Sequence, residues 1–523
     1  MYFQHLSEVK KGNSIKISLT TKSSLFKHSA FRIRNCTSGA NLMSQQQTLK
    51  QKTVRGLVWS AIERLSGQVI SFALALILAR LVTPEDYGVL AIVMVFVTVA
   101  GLMVDAGFAN ALIRKTDCTD VDRSTVFYFN LVVSALMYAI IYFAAPFLAS
   151  FYENSELTPL IRCASVVVMI NSLCIVQQAT LTSRIDFKKQ TVISLTSSIV
   201  SGLLGIALAY QGYGVWALVA QTITQYSMCA LMLWIVVRWR PLLVFSRESF
   251  NDLFGYSYKL MLSNFIVRGG GEFLQLLMGR FFGAINLGYY NYANRLSNFI
   301  SGNIAITVQR VLFPAFSQMQ DNEEQLATNF RKSLVLSMVI IFPLMFAFST
   351  LAEPIIKILL TEAWYPTIPL LRVIAITLAM WPLLFFNMNI LWVKKRSDLS
   401  LRLEMINIVF RLGIVLVLFK SGVLWVCIAL CIAEFLNFLV YSKVIEKVCT
   451  YGLFKQLKDL AYIVFSSSVS CCISYYFVVT QIENNILSII TGGISIIFIY
   501  LILIFIRKGY EYDLVLNIFK SKK

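Results

Sequence analysis

The chain has 523 residues, of which 57% are hydrophobic and only 14% are charged, and its mean hydropathy is +0.70. A soluble chain of this length divides into several domains and carries roughly a quarter charged residues. A formal net charge of +19 is also typical of nucleic-acid-binding proteins, but the basic residues here are concentrated in short loops between apolar runs. The composition therefore predicts a membrane protein with no nucleic-acid partner.

The first 48 residues differ from the rest, because they are polar, basic and rich in Ser and Thr and contain a single acid, Glu8. They lack the apolar run of a secretory signal, although their shortage of acids also fits a transit peptide. We interpret residues 1–48 as a disordered or mis-annotated N-terminal extension, with translation starting at Met43.

Apolar runs long enough to cross a bilayer follow this extension, since a spanning helix needs about 20 mostly apolar residues. The connecting loops are short, which leaves no room for a soluble catalytic domain. We predict an all-α membrane protein with about fourteen transmembrane helices. They lie near 57–82, 87–112, 125–150, 159–181, 191–211, 213–238, 256–281, 288–312, 333–358, 368–392, 403–420, 422–443, 459–480 and 486–506.

The charges of the connecting loops predict the orientation. With the N-terminus in the cytoplasm, the inner loops hold clusters such as Lys188 with Lys189, or Lys394 with Lys395, whereas Lys420 is the only basic residue of the outer loops. This asymmetry follows the positive-inside rule. We therefore predict a multi-pass protein of the bacterial cytoplasmic membrane with both termini in the cytoplasm.

Motifs for enzymatic chemistry are missing from the sequence. It contains no GxxxxGK[ST] phosphate-binding loop and no HExxH zinc motif, and its only histidines, His5 and His28, lie in the N-terminal extension. We therefore predict that the chain is not an enzyme and uses no metal and no cofactor. The ten cysteines show no paired metal-binding spacing, and we interpret them as small apolar residues.

The two halves of the sequence share a pattern. The first span ends with Arg80, eight residues before Gly88, and the seventh ends with Arg280, eight residues before Gly288. We predict a duplicated six-helix unit in one orientation, of the kind that transporters use to rock two halves about a central site. The lobes would comprise 49–240 and 241–445, and 446–523 would add two helices and a basic cytoplasmic tail.

Three segments carry a family resemblance. Residues 78–88 read LARLVTPEDYG, residues 105–114 read DAGFANALIR, and residues 288–293 read GYYNYA shortly before Arg295. They resemble the polysaccharide-transporter branch of the MOP flippase superfamily, which includes Wzx-type flippases and exporters of teichuronic acid and O-antigen. These motifs cover a small part of the chain and do not indicate which glycan is carried.

The resemblance implies two six-helix bundles in a V around a central cavity, and alternating access. It implies translocation of a lipid-linked oligosaccharide, such as an undecaprenyl-pyrophosphate-linked repeat unit, for polysaccharide, O-antigen or capsule biosynthesis. Membrane lipid and a glycan polymerase or other export machinery are the implied partners. The alternatives are a MATE-like small-molecule or drug antiporter, which favours a twelve-span core, and a membrane enzyme, which needs a longer outer loop.

Ionisable residues inside the spans are candidate substrate-binding residues, because a charge at the bilayer centre costs at least about 2.5–3.5 kcal/mol. Arginine suits a diphosphate, since its planar fork binds two oxygens at once. We predict phosphate contacts from Arg64, Arg268 and Arg295. Glu272 shares a helix face with Arg268, and the competing interpretation is that these two residues neutralise each other.

Arg80 and Arg280 are further candidates for substrate binding. They lie near the outer interface, where a charged side chain reaches water at little cost. Their alternative role is to clamp the adjacent loop through Glu85 and Asp86.

Asp105 and Glu63 are candidates for coupling an ion or a proton. For Asp105 the alternative is a helix-terminal role, and for Glu63 it is a position at the inner interface. Glu353 and Lys357 are interpreted as a structural pair at the outer end of span nine. Further intramembrane candidates are Arg372, Glu404, Arg411 and Glu434.

Three consecutive glycines, 269–271, lie in the middle of span seven. Glycine weakens a helix and removes side chains. The run therefore predicts either a bend or a packing groove.

Overall fold

The computed structural model describes residues 66–115, 117–184, 186–507 and 509–512. These residues form α-helices with no β-strand among them, which confirms the predicted all-α fold class. They all belong to one compact unit, 59–523. The predicted extension 1–48 and the candidates Glu63 and Arg64 lie outside the described residues.

The first half of the bundle contains eight helical segments. Two of them begin at strong caps, because Thr83 and Thr119 each form a capping box with an acid three residues later, Asp86 or Asp122. The segments are α1 Ser66–Leu81, α2 Pro84–Asp105, α3 Phe108–Arg114, α4 Asp120–Phe151, α5 Leu157–Ala164, α6 Val166–Ser183, α7 Phe187–Tyr210 and α8 Val215–Val237.

The second half also contains eight helices. They are α9 Arg247–Gln318, α10 Glu323–Thr350, α11 Ala352–Leu359, α12 Thr367–Val393, α13 Ser397–Leu418, α14 Val423–Ile445, α15 Leu453–Phe477 and α16 Asn485–Arg507.

Helix α9 contains both predicted spans seven and eight. The sequence predicts an outer loop at 282–287, but only Gly283 leaves the helical conformation, with φ 79° and ψ 165°. A positive φ is a conformation that glycine adopts without steric cost. Gly283 therefore divides α9 into a first arm, 247–282, and a second arm, 284–318.

The glycine run 269–271 does not interrupt the first arm. A side chain added at Gly270 would collide with Ile408 of α13, whereas Gly271 has open space around it. The run therefore provides a packing groove for α13 and not a bend.

Ten helical segments of the described residues are long and apolar enough to cross a membrane. The remaining predicted spans fall on α1, on the two arms of α9 and on α13. The chain is thus a multi-pass membrane protein whose predicted spans coincide with helices to within several residues. The number fourteen stays a prediction.

The bundle has two ends with different contacts. At one end, which we call the outer end after the predicted orientation, the loops after α1, α4 and α11 lie near the bend of α9. At the opposite, inner end, Lys115 contacts Asp122 and Asp252, each at 3.1 Å. Burial alone would lower the pKa of Lys115, but hydrogen bonds to the two carboxylates raise it above its ordinary value.

Helices α15 and α16 pack against the other helices of the second half. Arg331 of α10 donates two hydrogen bonds, of 2.6 and 2.7 Å, to the buried carboxylate of Asp459 in α15. Tyr451 donates a third to the same carboxylate at 2.8 Å. Tyr500 of α16 donates to the carbonyl of Val339 in α10 at 3.0 Å. These bonds join α15 and α16 to the rest of the second half.

Cysteine labelling tests the predicted orientation. Lys395→Cys lies in the loop after α12 and Ser421→Cys in the loop after α13, on a chain whose ten native cysteines are replaced. An impermeant thiol reagent added to intact cells is expected to modify Ser421→Cys and to spare Lys395→Cys, because basic loops stay in the cytoplasm. A cysteine within 183–190 is expected to behave like Lys395→Cys. The reverse labelling pattern contradicts the orientation.

Candidate translocation site

A polar strip runs along the first arm of α9. Arg268, Glu272 and Gln275 lie four and three residues apart, so they share one helix face. The Gln275 amide donates to the Glu272 carboxylate at 3.2 Å. The Arg268 guanidinium is exposed and forms no ion pair with Glu272. The interpretation that these two residues neutralise each other by direct pairing is therefore wrong, because Gln275 is the partner of Glu272.

A second polar strip lies on the other arm of α9. It consists of Asn294, Arg295 and Asn298, in which the Asn298 amide donates to Asn294 at 2.9 Å. Arg295 is exposed, and its Nη2 donates a long hydrogen bond of 3.4 Å to the carbonyl of Ser71 in α1. The strip therefore faces the first half of the bundle.

The two strips lie at similar distances from the bend of α9. Arg268 is 15 residues before Gly283 and Arg295 is 12 residues after it. At 1.5 Å per residue, the two arginines lie about 22 and 18 Å from the bend. The apolar part of a bilayer is about 30 Å thick, so an outer position of the bend places both arginines well inside it.

Asp105 has the predicted helix-terminal role. It is the last residue of α2, and its Oδ1 accepts a hydrogen bond of 3.3 Å from the backbone N–H of Ala109 in α3. The carboxylate also lies close enough to Arg268 to interact with it electrostatically. Ion coupling by Asp105 stays a prediction.

The outer end is closed by a contact between α1 and the region after α11. Arg80 donates from Nε to the carbonyl of Leu359 at 2.7 Å and from Nη2 to that of Ile358 at 2.6 Å. The indole N–H of Trp364, a fully buried side chain, donates to the carbonyl of Ala79 at 2.7 Å. These bonds connect the first half of the bundle to the second.

The predicted partners of Arg80 were wrong. Asp86 is occupied elsewhere, since it accepts hydrogen bonds from the hydroxyl of Thr83 and the backbone N–H of Val215. Arg80 therefore does not clamp the adjacent loop, as the alternative interpretation proposed, but binds the C-terminal end of helix α11 in the other half of the chain.

A second contact closes the outer end, and here the arginine belongs to the second half and its partner to the first. Arg280, at the end of the first arm of α9, forms an ion pair with Glu153 after α4, with 3.0 Å between Nη2 and Oε1. The neighbouring Tyr152 hydroxyl donates to the carbonyl of Leu276 at 3.0 Å. Burial raises the pKa of Tyr152 although Arg280 opposes this, so the phenol keeps its proton.

We call these contacts the crossed clasp, comprising Arg80, Trp364, Arg280, Glu153 and Tyr152. An arginine of each half holds the other half, and the two held loops follow α4 and α11, the ends of predicted spans three and nine. Such a reciprocal pair of contacts is expected if the two halves are related by the predicted duplication. The lobe boundaries themselves stay predictions.

The two halves touch backbone to backbone below the clasp. A Cβ added at Gly88 of α2 would overlap the carbonyl oxygen of Ala284, and one added at Gly288 would overlap that of Pro84. Only glycine allows this approach, because it has no Cβ. The paired spacing seen in the sequence therefore brings Gly88 and Gly288 together at one helix crossing.

A pocket of about 680 Å³ opens beside the clasp at the outer end. It is lined by Glu85, Glu153, Glu156, Arg280 and the backbone around Gly283, among others. The Arg280–Glu153 pair is solvent-exposed, with side-chain exposures of 37% and 74%, so it stabilises the closed end by at most about 1 kcal/mol.

Another predicted pair is confirmed at the outer end. Lys357 contacts Glu353 at 2.8 Å, and Arg372 joins the same carboxylate at 3.1 Å. The sequence analysis did not identify Trp364, Tyr152, Glu153 or Gln275 as functional residues. The tryptophan in an otherwise short outer loop was the one feature of the sequence that could have identified any of them.

The proteins that the chain resembles include two relatives with functional names and one solved structure. Teichuronic acid biosynthesis protein TuaB of Bacillus subtilis is 26% identical over 68% of this chain and 74% of its own length. Succinoglycan biosynthesis transport protein ExoT of Rhizobium meliloti is 28% identical over 63% of this chain and 67% of its own. Lipid II flippase MurJ, in an inward closed conformation, shares 15% identity and a TM-score of 0.71 over 86% of this chain and 99% of that chain.

The helical bundle has the fold of solved membrane transporters, namely Lipid II flippase MurJ and a multidrug resistance MATE family transporter of the MOP superfamily, the second at 18% identity and a TM-score of 0.57. A family described as polysaccharide biosynthesis protein matches residues 77–369, more than half of the chain. The chain belongs to this family, and the predicted relation to the polysaccharide-transporter branch is confirmed.

Proposed function

We propose that the chain translocates a lipid-linked oligosaccharide across the membrane by alternating access between the two halves of its helical bundle. The observation that carries this proposal is the position of Arg268 and Arg295. Both are exposed side chains on a helix of an apolar bundle, they lie at similar distances from the bend of α9, and contacts between the two halves close the outer end beyond them.

The chemistry of such a substrate explains these features. A diphosphate and a polar glycan have to pass an apolar layer about 30 Å thick while the polyprenyl tail stays in lipid. Two guanidinium groups at similar distances from the bend offer the forked donors that bind phosphate oxygens. The Asn and Gln side chains of the two strips add neutral hydrogen-bonding groups of the kind that sugar hydroxyls accept and donate to.

The relatives support the same substrate class, because TuaB and ExoT are named for polysaccharide biosynthesis and transport and MurJ is named a lipid II flippase. We further propose the cytoplasmic membrane of a bacterium, both termini in the cytoplasm, and undecaprenyl pyrophosphate as the carrier. A glycan polymerase or other export machinery would receive the product at the outer end. The chain acts as a transporter and not as an enzyme.

A reconstitution experiment tests the proposal. The full chain in proteoliposomes is expected to move a labelled undecaprenyl-pyrophosphate-linked oligosaccharide between leaflets, measured as the fraction of label that an added glycosidase can reach. Protein-free liposomes serve as the control, because a diphosphate crosses apolar lipid too slowly to contribute. Transport of a cationic dye without movement of the glycolipid would contradict the proposal and favour the drug-antiporter alternative.

A further inference from the structure

A ladder of polar side chains crosses the contact between α13 and α14. The helices are antiparallel, and three pairs of residues face each other along them. The pairs are Glu404 with Tyr441, Asn407 with Asn437, and Arg411 with Glu434. Such pairs are rare in transmembrane helices and mark functional sites by default.

Each rung of the ladder has a defined contact. The Tyr441 hydroxyl donates to Oε2 of Glu404 at 3.4 Å, and the Asn437 amide donates to Oδ1 of Asn407 at 2.6 Å. Nη2 of Arg411 contacts Oε1 of Glu434, whose side chain is only 3% exposed. Asn407, Asn437 and Tyr441 are buried as well.

The charges of the ladder do not balance. Two carboxyl groups, Glu404 and Glu434, share the single guanidinium of Arg411, so the fully ionised ladder carries one uncompensated negative charge. An uncompensated charge in an apolar medium is costly, and a buried acid takes up a proton to avoid it. Glu434 has the cationic partner, whereas the side chain that donates a hydrogen bond to Glu404 is a neutral phenol.

We propose that the ladder is a proton-binding site that holds one proton, on Glu404, when the outer end is closed. A metal cation is a poor occupant, because the Arg411 guanidinium already lies among the oxygen ligands that would surround it. Glu404 is half-buried and lies seven residues from the inner start of α13, about 10 Å along the helix. The proton therefore reaches the site from the inner end.

The neighbouring helices contribute few other titratable groups. Tyr290 of α9 lies next to Arg411, and Cys427 and Cys431 lie on the ladder side of α14, where α12 offers the hydroxyl of Thr377 to Cys431. At the inner start of α13, Arg402 is exposed. Phenols and thiols stay neutral near pH 7, so the proton count of the ladder depends on its two carboxyl groups.

Counting protonated carboxyl groups tests the site in the full chain, reconstituted in lipid. The probe is the infrared carbonyl band of protonated carboxyl groups near pH 7, compared with wild type. Glu404→Gln is expected to remove one protonated group. Glu434→Gln is expected to remove one as well, because Glu404 then ionises against Arg411. Arg411→Gln is expected to add one, and the ion-paired Glu353→Gln at the outer end should change nothing.

Several results would overturn the site. An unchanged band in both glutamine variants of the ladder means that Glu404 is ionised and that the ladder is a structural ion pair only. Loss of the wild-type band on adding Na⁺ assigns the site to a metal ion. Since glutamine is nearly isosteric with glutamate, these variants keep the packing, and the test does not depend on whether Arg411→Gln folds.

The proton site supplies the coupling step of the proposed translocation, and this part rests on the proposed function. In proteoliposomes, a proton gradient is expected to accelerate glycolipid movement by wild type at least tenfold and to leave Glu404→Gln unaffected. Movement by wild type that ignores the gradient contradicts the coupling role and leaves the proposed function standing. No movement by wild type under any condition contradicts the proposed function, while the infrared result still decides the site.

Discussion

Arg268→Ala is expected to reduce export of the glycan about 10- to 100-fold while the protein reaches the membrane in normal amounts. The Arg268 side chain is exposed and has no ion pair with Glu272 to lose, so we expect the variant to keep its fold. A charged hydrogen bond to a phosphate contributes about 1.5–3 kcal/mol. Export of labelled polysaccharide by cells that carry the variant measures the effect.

Two further variants control this experiment. Arg402→Ala removes an exposed arginine at the inner start of α13 and is expected to export normally. Arg268→Lys keeps the charge but loses the forked geometry, so it should fall between wild type and Arg268→Ala. Normal export by Arg268→Ala would remove this residue from the substrate site.

Gly88→Ala is expected to open the outer end and to abolish most export. The added methyl group would overlap the carbonyl of Ala284, and overpacking of this kind costs about 1–3 kcal/mol or more. A cost of that size shifts the equilibrium between the closed and open states by about 5- to 150-fold. The open fraction is measured with Gln275→Cys, on the first arm of α9, by its rate of modification by an impermeant thiol reagent from outside.

The matched control lies in the same helix. Gly101→Ala makes the same chemical change in α2, but nothing lies within 4 Å of its new methyl group. It is expected to show wild-type labelling and export, so any difference between the two variants reports the contact with the second half. Gly288→Ala should reproduce Gly88→Ala, since its methyl group would meet the carbonyl of Pro84. Equal behaviour of Gly88→Ala and Gly101→Ala contradicts the role of this crossing.

The helices could be predicted from the sequence because each one is a local property of about 20 residues. Apolar runs indicated the spans, and the four-residue spacing of Glu353 and Lys357 predicted a contact that the structure contains at 2.8 Å. The repeated spacing of Arg80 with Gly88 and of Arg280 with Gly288 marked four residues that all lie at contacts between the two halves. Local periodicity was sufficient for each of these inferences.

Contacts between the two halves could not be predicted in the same way. Arg80 binds carbonyl groups 278 and 279 residues away, and Arg280 binds Glu153 at a separation of 127 residues. These partners are set by how whole helices pack, and backbone carbonyl acceptors leave no trace in the sequence. The nearby acids Glu85 and Asp86 were therefore the obvious but wrong choice for Arg80.

The ladder between α13 and α14 was partly visible in the sequence. Glu404, Arg411 and Glu434 were noticed one by one as intramembrane charges, without Asn407, Asn437 or Tyr441. Their pairing follows from the antiparallel arrangement, since the residue numbers of each pair add to 844 or 845. The turn between the two helices fixes this register, so the ladder was accessible to an argument that combines two neighbouring spans.

In the proposed alternating access, the attachment of α15 and α16 makes the two halves of the bundle unequal. Arg331, Tyr451 and Tyr500 fix these helices to the second half, which thereby presents a wider perimeter to the surrounding lipid. Viscous drag in a bilayer grows with that perimeter, and two bodies that rock against each other share the motion in inverse proportion to their drag. The first half should therefore rotate through the larger angle during each transport cycle.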